Sequence, residues 1–413
     1  MFNKLRLLYH YLLAWVGNEI YKRPSKKLYV IGVTGTKGKS TVLELMNAIL
    51  EAAGKRTALS SSVRFKIDFF NESNNSGMSM PGRFFIQRFL SEAFKRDCEY
   101  ALIEVTSQGI LQFRHRFVDF DAALLTNLEP EHIEAHGSFT SYRDTKARFF
   151  RDAGKYSLKQ RKLFFLNSDA RDVQYFVDAV KGRGLPACPA RGQGNVVFYN
   201  KKDMRALKIK TKLIGEFNLE NIAAAIAFAR SRNIDWETIR SAIESFDGVP
   251  GRLEFVQKIP FPVIIDYAHT PDSLEKVYQT GRKTLKKSKK MICVLGSAGG
   301  GRDMWKRPVM GGIASKYCDR IILTNEDPFD EDPMEILNQI ESGIMDGNKK
   351  KIKKILDRKE AIRAAIKSAK KDDLVIITGK GCEPHMRVAK NKKIPWNEKE
   401  IVLKILNNEK IEI

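Results

Sequence analysis

The sequence predicts an α/β fold in which strands of a parallel-type sheet alternate with helices, and three observations carry that expectation. Short apolar runs rich in β-branched residues recur along the chain and end in turn residues. Helical patterns lie between many of these runs. Behind the first run, a glycine-rich turn leads into Val42, Leu45, Met46, Ile49 and Leu50, whose spacing is that of a crossover helix packed on a sheet.

Taken in chain order, residues 1–27 form a short leader whose apolar stretch, Leu7 to Val16, is too short to span a bilayer and has no small-residue cleavage site. It reads as a packed helix. Trp15, Tyr9 and Tyr11 among leucines, with Lys and Arg at both ends, also suit weak attachment to a membrane surface. The predicted strands follow at Leu28–Ile31, Ala101–Val105, Ala122–Leu125 and Leu163–Leu166, then at Val263–Ile265, Ile292–Leu295, Ile321–Leu323 and Leu374–Ile377. Between the two sets, Asp247-Gly-Val-Pro-Gly-Arg252 concentrates turn residues and marks a boundary. The expected domains are therefore residues 28–250 and 251–413.

A chain of 413 residues, 43% apolar, is long enough for more than one true core. Its 72 Lys and Arg against 49 Asp and Glu give a net charge of +23, a field that attracts polyanions. Much of that excess sits in solvated runs such as Lys286-Lys287-Ser288-Lys289-Lys290, which makes nucleic acid a minor candidate. The five cysteines, Cys98, Cys188, Cys293, Cys318 and Cys382, show no CxxC spacing and are expected to be reduced thiols of a cytoplasmic protein.

The chemistry begins at Gly32-Val-Thr-Gly35-Thr36-Lys37-Gly38-Lys39-Ser40-Thr41, between a predicted strand and a predicted helix. That context suits a phosphate-binding loop. Glycines let backbone N–H groups approach phosphate, the helix N-terminus adds positive potential, Lys39 reaches the transferable phosphate and Ser40 can ligate Mg2+. Val33 stands where a strict pattern has its first glycine. Glu104 ends a strand and precedes Thr106 and Ser107, which puts a carboxylate at the sheet edge where open α/β proteins bind ligands. The next strand delivers Glu129, Glu131, His132, Glu134 and His136 to the same edge, with Tyr142 and Lys146 on the helix beyond. A cation site is the reading favoured by this cluster.

These segments resemble the Mur ligase family over most of the chain. GVTGTKGKST is similar to its phosphate loop, EVTSQ to its acidic strand end, and TNLEPEHIEAHGSFTSYRDTK to its TN…DHLD.HG…Y…K segment. GEFNLENIAAA, with Asn218 and Asn221, resembles its nucleotide segment, and Gly251-Arg252-Leu-Glu254 its hinge. Asp266-Tyr-Ala-His269-Thr-Pro-Asp272, the segment around Arg302-Asp303 and Lys306-Arg307-Pro308, and Gly379-Lys380-Gly381-Cys382-Glu383 resemble boxes of the branch that adds the third peptide residue.

The resemblance implies a central ATP-binding domain at 28–250 and a Rossmann-like C-terminal domain at 251–413, with ATP and Mg2+ as cofactors. It places Gly35, Thr36, Lys37, Gly38, Lys39, Ser40 and Thr41 at the phosphates, with Asn218, Asn221, Arg252 and Asp266 at the nucleotide. Ser40, Glu104, His132 and Lys146 would be at the metal, Lys146 as a carbamate, because an ammonium cannot ligate Mg2+. Lys39, Lys146 and His269 would be catalytic, and Thr106, Ser107, Arg302, Asp327, Gly381 and Glu383 would bind substrate.

The chain departs from the family at Glu131 and Glu134 (Asp in the family), Gln108 (His) and Lys37 (Asn). Phe329 stands where diaminopimelate-adding members carry the arginine of a DNPR loop, and Glu326, Asp327, Asp330, Glu331 and Asp332 make this loop acidic. Lysine, or another diamino acid lacking the distal carboxylate, is therefore expected over meso-diaminopimelate, unless the acidity only caps the following helix. That branch also carries a further N-terminal domain that grips UDP, so UDP is expected to contribute less here. The expected function is ATP-dependent coupling of an amino acid to UDP-N-acetylmuramoyl-L-alanyl-D-glutamate through an acyl phosphate, in peptidoglycan precursor synthesis. Ligation on a non-UDP carboxylate such as a folate or poly-amino acid, and a non-catalytic P-loop protein, are the alternatives.

Overall fold

The structure is a computed structural model that describes residues 2–82, 84–131, 133–182, 195–202, 209–301, 303–345, 347 and 351–408. The chain divides into two compact units: Met1–Lys212 with Phe217–Asp247, and Leu213–Glu216 with Gly248–Ile413. Helix α1 (Phe2–Ile20) belongs to the first unit.

In the first unit the chain runs β1 (Tyr29–Thr34), α2 (Lys39–Ala52), β2 (Thr57–Ser60), β3 (Arg64–Ile67), β4 (Phe70–Ser73), α3 (Phe85–Lys95) and β5 (Tyr100–Glu104). It continues through α4 (Ser107–Leu111), β6 (Ala122–Leu125), α5 (Ile133–His136), α6 (Phe139–Tyr156), β7 (Leu163–Asn167), α7 (Val173–Lys181) and β8 (Asn195–Tyr199). Helices α8 (Glu216–Ser231) and α9 (Trp236–Ser245) complete it. The eight strands form one sheet in the order β4-β3-β2-β5-β1-β6-β7-β8. Strand β3 runs antiparallel to both of its neighbours, β2 and β4, and the other pairings in this sheet are parallel.

Strands β1, β5 and β6 are central and buried on both faces, so they read as continuous apolar runs rather than alternating ones. Phe149 and Phe150 of α6 pack against the sheet beside Phe120 and Phe164. The register sets Val33 beside Glu104 and Thr34 beside Leu125, so the carboxyl ends of these three strands lie level. The loops that follow them therefore open at one place.

The second unit runs β9 (Glu254–Gln257), β10 (Val263–Asp266), α10 (Pro271–Thr284), β11 (Met291–Leu295), α11 (Lys306–Tyr317), β12 (Arg320–Leu323), α12 (Pro333–Glu341) and β13 (Ile352–Lys354). After these come α13 (Arg358–Ser368), β14 (Leu374–Thr378), the hairpin β15 (His385–Val388) and β16 (Lys392–Pro395), and α14 (Glu398–Asn408). Its six-stranded sheet has the order β13-β12-β11-β14-β10-β9 and is parallel apart from β9. This is the doubly wound pattern in which the strand order reverses near the middle.

One expectation about the cysteines is corrected. Cys293 on β11 and Cys318 after α11 form a disulfide with Cα atoms 6.1 Å apart. The parallel pairing of β11 with β12 brings together two positions 25 residues apart, which sequence spacing does not reveal. Cys98 and Cys382 are free thiols, and Cys188 lies outside the described residues.

Candidate active site

The loop between β1 and α2 carries the densest chemistry. Gly38 caps α2 at φ 81°, a conformation that L side chains rarely adopt, and a Cβ there would lie 2.2 Å from Asn221 Oδ1. Glycine thus lets α8 come against the loop, and Asn221 is itself held by donating to Asn218 Oδ1 at 2.9 Å. The segment after β6 clamps the other side. Thr36 N donates to Asn127 O, Lys37 N to Asn127 Oδ1, and Thr126 Oγ1 to Lys37 O. Lys37 pairs with Glu131 at 2.7 Å.

Lys39 folds back over the loop, its Nζ donating to Gly35 O at 3.1 Å and Thr36 O at 3.0 Å. Buried Ser40 donates to Glu104 Oε2 at 3.0 Å, and the same oxygen accepts from Ser62 N at 2.8 Å. Two oxygen donors, a hydroxyl from α2 and a carboxylate from the end of β5, therefore meet at one point. Oxygen ligands of this kind suit Mg2+. Thr41 is buried in the first turn of α2.

Lys146 comes from α6, packs 4.6 Å from the Tyr142 ring and donates to Gly35 O at 2.8 Å. It is only 2% exposed. Burial, joined by the neighbouring positive charge of Lys39, drives its amine well below the ordinary lysine range, although Glu131 and Glu104 oppose that shift. A second lysine thus stands over the β1–α2 loop, where burial and Lys39 disfavour its charged form.

Thr106 caps α4, accepting from Gly109 N, and Ser107 Oγ lies 3.1 Å from His136 Nε2. His136 in turn packs edge-on against Tyr142, whose hydroxyl is 3.2 Å from Thr36 Oγ1. Sequence reasoning did not assign roles to Asn127, Glu131, His136 or Tyr142, and the signal for them was their place in the TN…K segment. His132 lies outside the described residues. Among the described residues no three His, Cys, Asp or Glu side chains converge as a metal group.

In the second unit, Arg252 lies over the Tyr267 ring at 4.4 Å. Both oxygens of Asp266 are taken by backbone amides of Leu253 and Ala268 at 2.7 Å, so this carboxylate fixes the turn that carries Arg252. His269 Nδ1 is 2.7 Å from Tyr267 O, and Tyr267 donates to Glu383 at 2.8 Å. Lys380 bridges Asp327 Oδ1 at 2.8 Å and Glu383 Oε2 at 2.6 Å. An added Cβ at Gly381 would lie 2.8 Å from Tyr267 Cβ, so that loop and the turn are in contact. Sequence reasoning gave no role to Lys380 or to buried Arg358, which joins Glu398, Asn325 O and Thr378 O. Arg302 lies outside the described residues.

A glycine-rich strand–helix loop backed by a carboxylate and two inward lysines, followed by a doubly wound second unit, fits an ATP-dependent amide-bond ligase. Residues 33–229 match the Mur ligase middle domain and residues 251–381 the Mur ligase glutamate ligase domain. The chain belongs to the Mur ligase family. It is 35% identical, over 95% of its length and 81% of the relative's, to the UDP-N-acetylmuramoyl-L-alanyl-D-glutamate--2,6-diaminopimelate ligase of Syntrophomonas wolfei. To the ligase of the same name from Aquifex aeolicus it is likewise 35% identical, over 95% of this chain and 80% of the relative.

Among solved structures, a UDP-N-acetylmuramoyl-L-alanyl-D-glutamate--2,6-diaminopimelate ligase superposes with a TM-score of 0.60 at 24% identity, covering 92% of this chain and 78% of that one. A Mycobacterium tuberculosis folylpolyglutamate synthase, solved with ADP and AMPPCP, superposes at 0.69 with 16% identity, covering 89% and 92%. Both likenesses concern the fold. No described helix is long and apolar enough to cross a membrane.

Proposed function

We propose that this ligase adds the third peptide residue to UDP-N-acetylmuramoyl-L-alanyl-D-glutamate in peptidoglycan precursor synthesis. The observation that carries the chemistry is the convergence of Lys39, Lys146, Ser40 and Glu104 on one phosphate loop. The substrate is supported by relatives of that name at 35% identity over nearly the whole chain. A substrate carboxylate oxygen attacks the γ-phosphorus of ATP, giving an acyl phosphate and ADP. The amino acid's amine then attacks the acyl carbon, phosphate leaves, and a proton is lost from nitrogen.

Lys39 offsets the charge that spreads over the transferred phosphoryl group. When bound, Mg2+ would supply further neutralisation of phosphate charge, and Ser40 and Glu104 would hold it. Burial of Lys146 favours its neutral amine, whose nitrogen would attack CO2 and lose a proton, leaving a carbamate whose anionic oxygen could serve as a metal ligand. Arg252, Asp266 and His269 belong to the nucleotide side of the second unit in this reading, and Asp327, Gly381 and Glu383 to the amino acid.

For the amino acid added, Phe329 in place of a DNPR arginine supports lysine. Its ring packs along Gly300, where an added Cβ would lie 3.1 Å from the ring carbons, so the side chain is used for packing. Two observations favour diaminopimelate instead: the relatives at 35% identity are named for that amino acid, and the Arg387 guanidinium, 5.9 Å from the Phe329 ring centroid, could supply the missing bidentate partner. ADP release, measured with UDP-muramoyl-dipeptide or a folate as acceptor and with lysine or meso-diaminopimelate as amine, tests both levels. ADP release that depends on folate and ignores the muramoyl dipeptide would overturn the proposal.

A further inference from the structure

Helix α1 has an outward face that contradicts its exposure. Its inner side is docked on the first unit: Tyr11 packs on Phe113 and Phe117 at 5.5 and 5.1 Å, and a Cβ on Gly17 would lie 2.7 Å from the Phe84 ring. The opposite side should then be polar. Instead Leu5, Leu8, Leu12 and Trp15, at spacings of three and four residues that align them on one face, are 45–57% exposed. Tyr9 flanks that stripe at 52% exposure.

The charge around this face is one-sided. Glu19 is the one acidic residue in the helix, and Arg23 pairs with it at 2.9 Å. Arg6 near the start of the helix, and Lys22, Arg23, Lys26 and Lys27 just after it, are exposed. A leucine and tryptophan stripe flanked by basic residues, on a helix unable to cross a bilayer, matches an element that lies in the interface plane.

We propose that α1 seats the enzyme on an anionic lipid surface, Leu8, Leu12 and Trp15 entering the headgroup boundary while the basic residues meet lipid phosphates. The same spacing would suit pairing with a second copy, but two chains of net charge +23 repel each other, whereas an anionic bilayer attracts each one.

Flotation of the full chain with phosphatidylcholine vesicles, with and without phosphatidylglycerol, tests this. Binding should require phosphatidylglycerol, fall as salt is raised, and drop at least ~10-fold in a Leu8→Gln/Leu12→Gln variant whose ADP-forming activity in solution is unchanged. Trp15 emission should shift to the blue on anionic vesicles, a shift absent in Trp15→Phe. Equal flotation of variant and parent, equal flotation on phosphatidylcholine alone, or a lipid-free dimer that dissociates in the variant would each overturn the proposal.

Discussion

Glu326 is buried in the segment between β12 and α12, and its Oε2 presses on the bare backbone of the loop after β14, where a Cβ on Gly379 would lie 2.3 Å away. That oxygen has no hydrogen-bond partner among the described residues. Burial, with the adjacent Asp327 carboxylate, raises its pKa from 4.5 to about 7, even though Lys306, Arg358 and Lys380 pull the other way. Between those two values the folded chain therefore holds a proton that the unfolded chain has released. Stability must fall as pH rises through that window, by on the order of 3 kcal/mol at most, since each tenfold change in proton affinity is worth ~1.4 kcal/mol. Relaxation of the site will return part of this. Glu326→Gln cannot ionise, so at pH 8 it should be more stable than the parent by roughly 1–3 kcal/mol and lose that advantage below about pH 4.5. Hydrogen exchange of the β14 segment, corrected for intrinsic rates, reads the opening energy locally without assuming that two units unfold together. Parent protection that stays flat from pH 5 to 8, or a variant less protected than the parent at pH 8, would refute the reasoning.

Lys39→Ala should lower kcat by roughly 10²–10³-fold with the fold intact, because the transferring phosphoryl group loses its cation; near-parent ADP production would remove the loop from the chemistry. Lys146→Ala should be nearly inactive and regain part of its rate with acetate or formate, which can occupy the place of a carbamate, and an unrescued variant running at the parent rate would exclude that role. Gly38→Ala should cost about 1–2 kcal/mol in the left-handed conformation and weaken ATP binding by displacing Asn221, so unchanged affinity by calorimetry counts against the close approach of α8. Arg387→Ala should reduce kcat/KM for meso-diaminopimelate more than for lysine if Arg387 replaces the missing arginine, and equal losses would leave lysine as the better reading.

The central strands were legible because burial on both faces writes itself as runs without a polar alternation, as in Val30–Val33 and Ala101–Ile103. Among the elements that sequence missed are ones that only their pairing partner defines. Strand β4 has all four residues exposed and exists only as the outer arm of a hairpin, and β13 is three residues at a sheet edge. The phosphate loop could be read because its order along the chain is its order in space. Glu104 could be read as a carboxylate at the end of a strand and Lys146 as a neighbour of the His and Glu cluster, but the carbamate role of Lys146 came only through resemblance, since nothing local demands a buried amine. The disulfide was invisible for the same reason: only the strand order brings Cys293 and Cys318 together.

Net charge gives little access to the sites, because most of the 72 basic residues are solvated and interchangeable. The informative cations are the few that the fold takes out of water, a step that costs several kcal/mol per ion unless partners compensate. Arg358 is compensated by Glu398 and two carbonyls, and Lys380 by Asp327 and Glu383, so these two hold the loops after β12 and β14 in place. Lys146 is different. Its hydrogen bond to Gly35 O is with a neutral acceptor, and the charge of Lys39 opposes its own. Glu131 and Glu104 act on it only through space, so the charged amine is poorly compensated, which argues that the position is kept for chemistry rather than for stability. A direct measurement follows from this. Mass spectrometry of the native chain in bicarbonate should detect a labile adduct of one CO2 that Lys146→Ala lacks, and an identical adduct in the variant would place the reactive amine elsewhere.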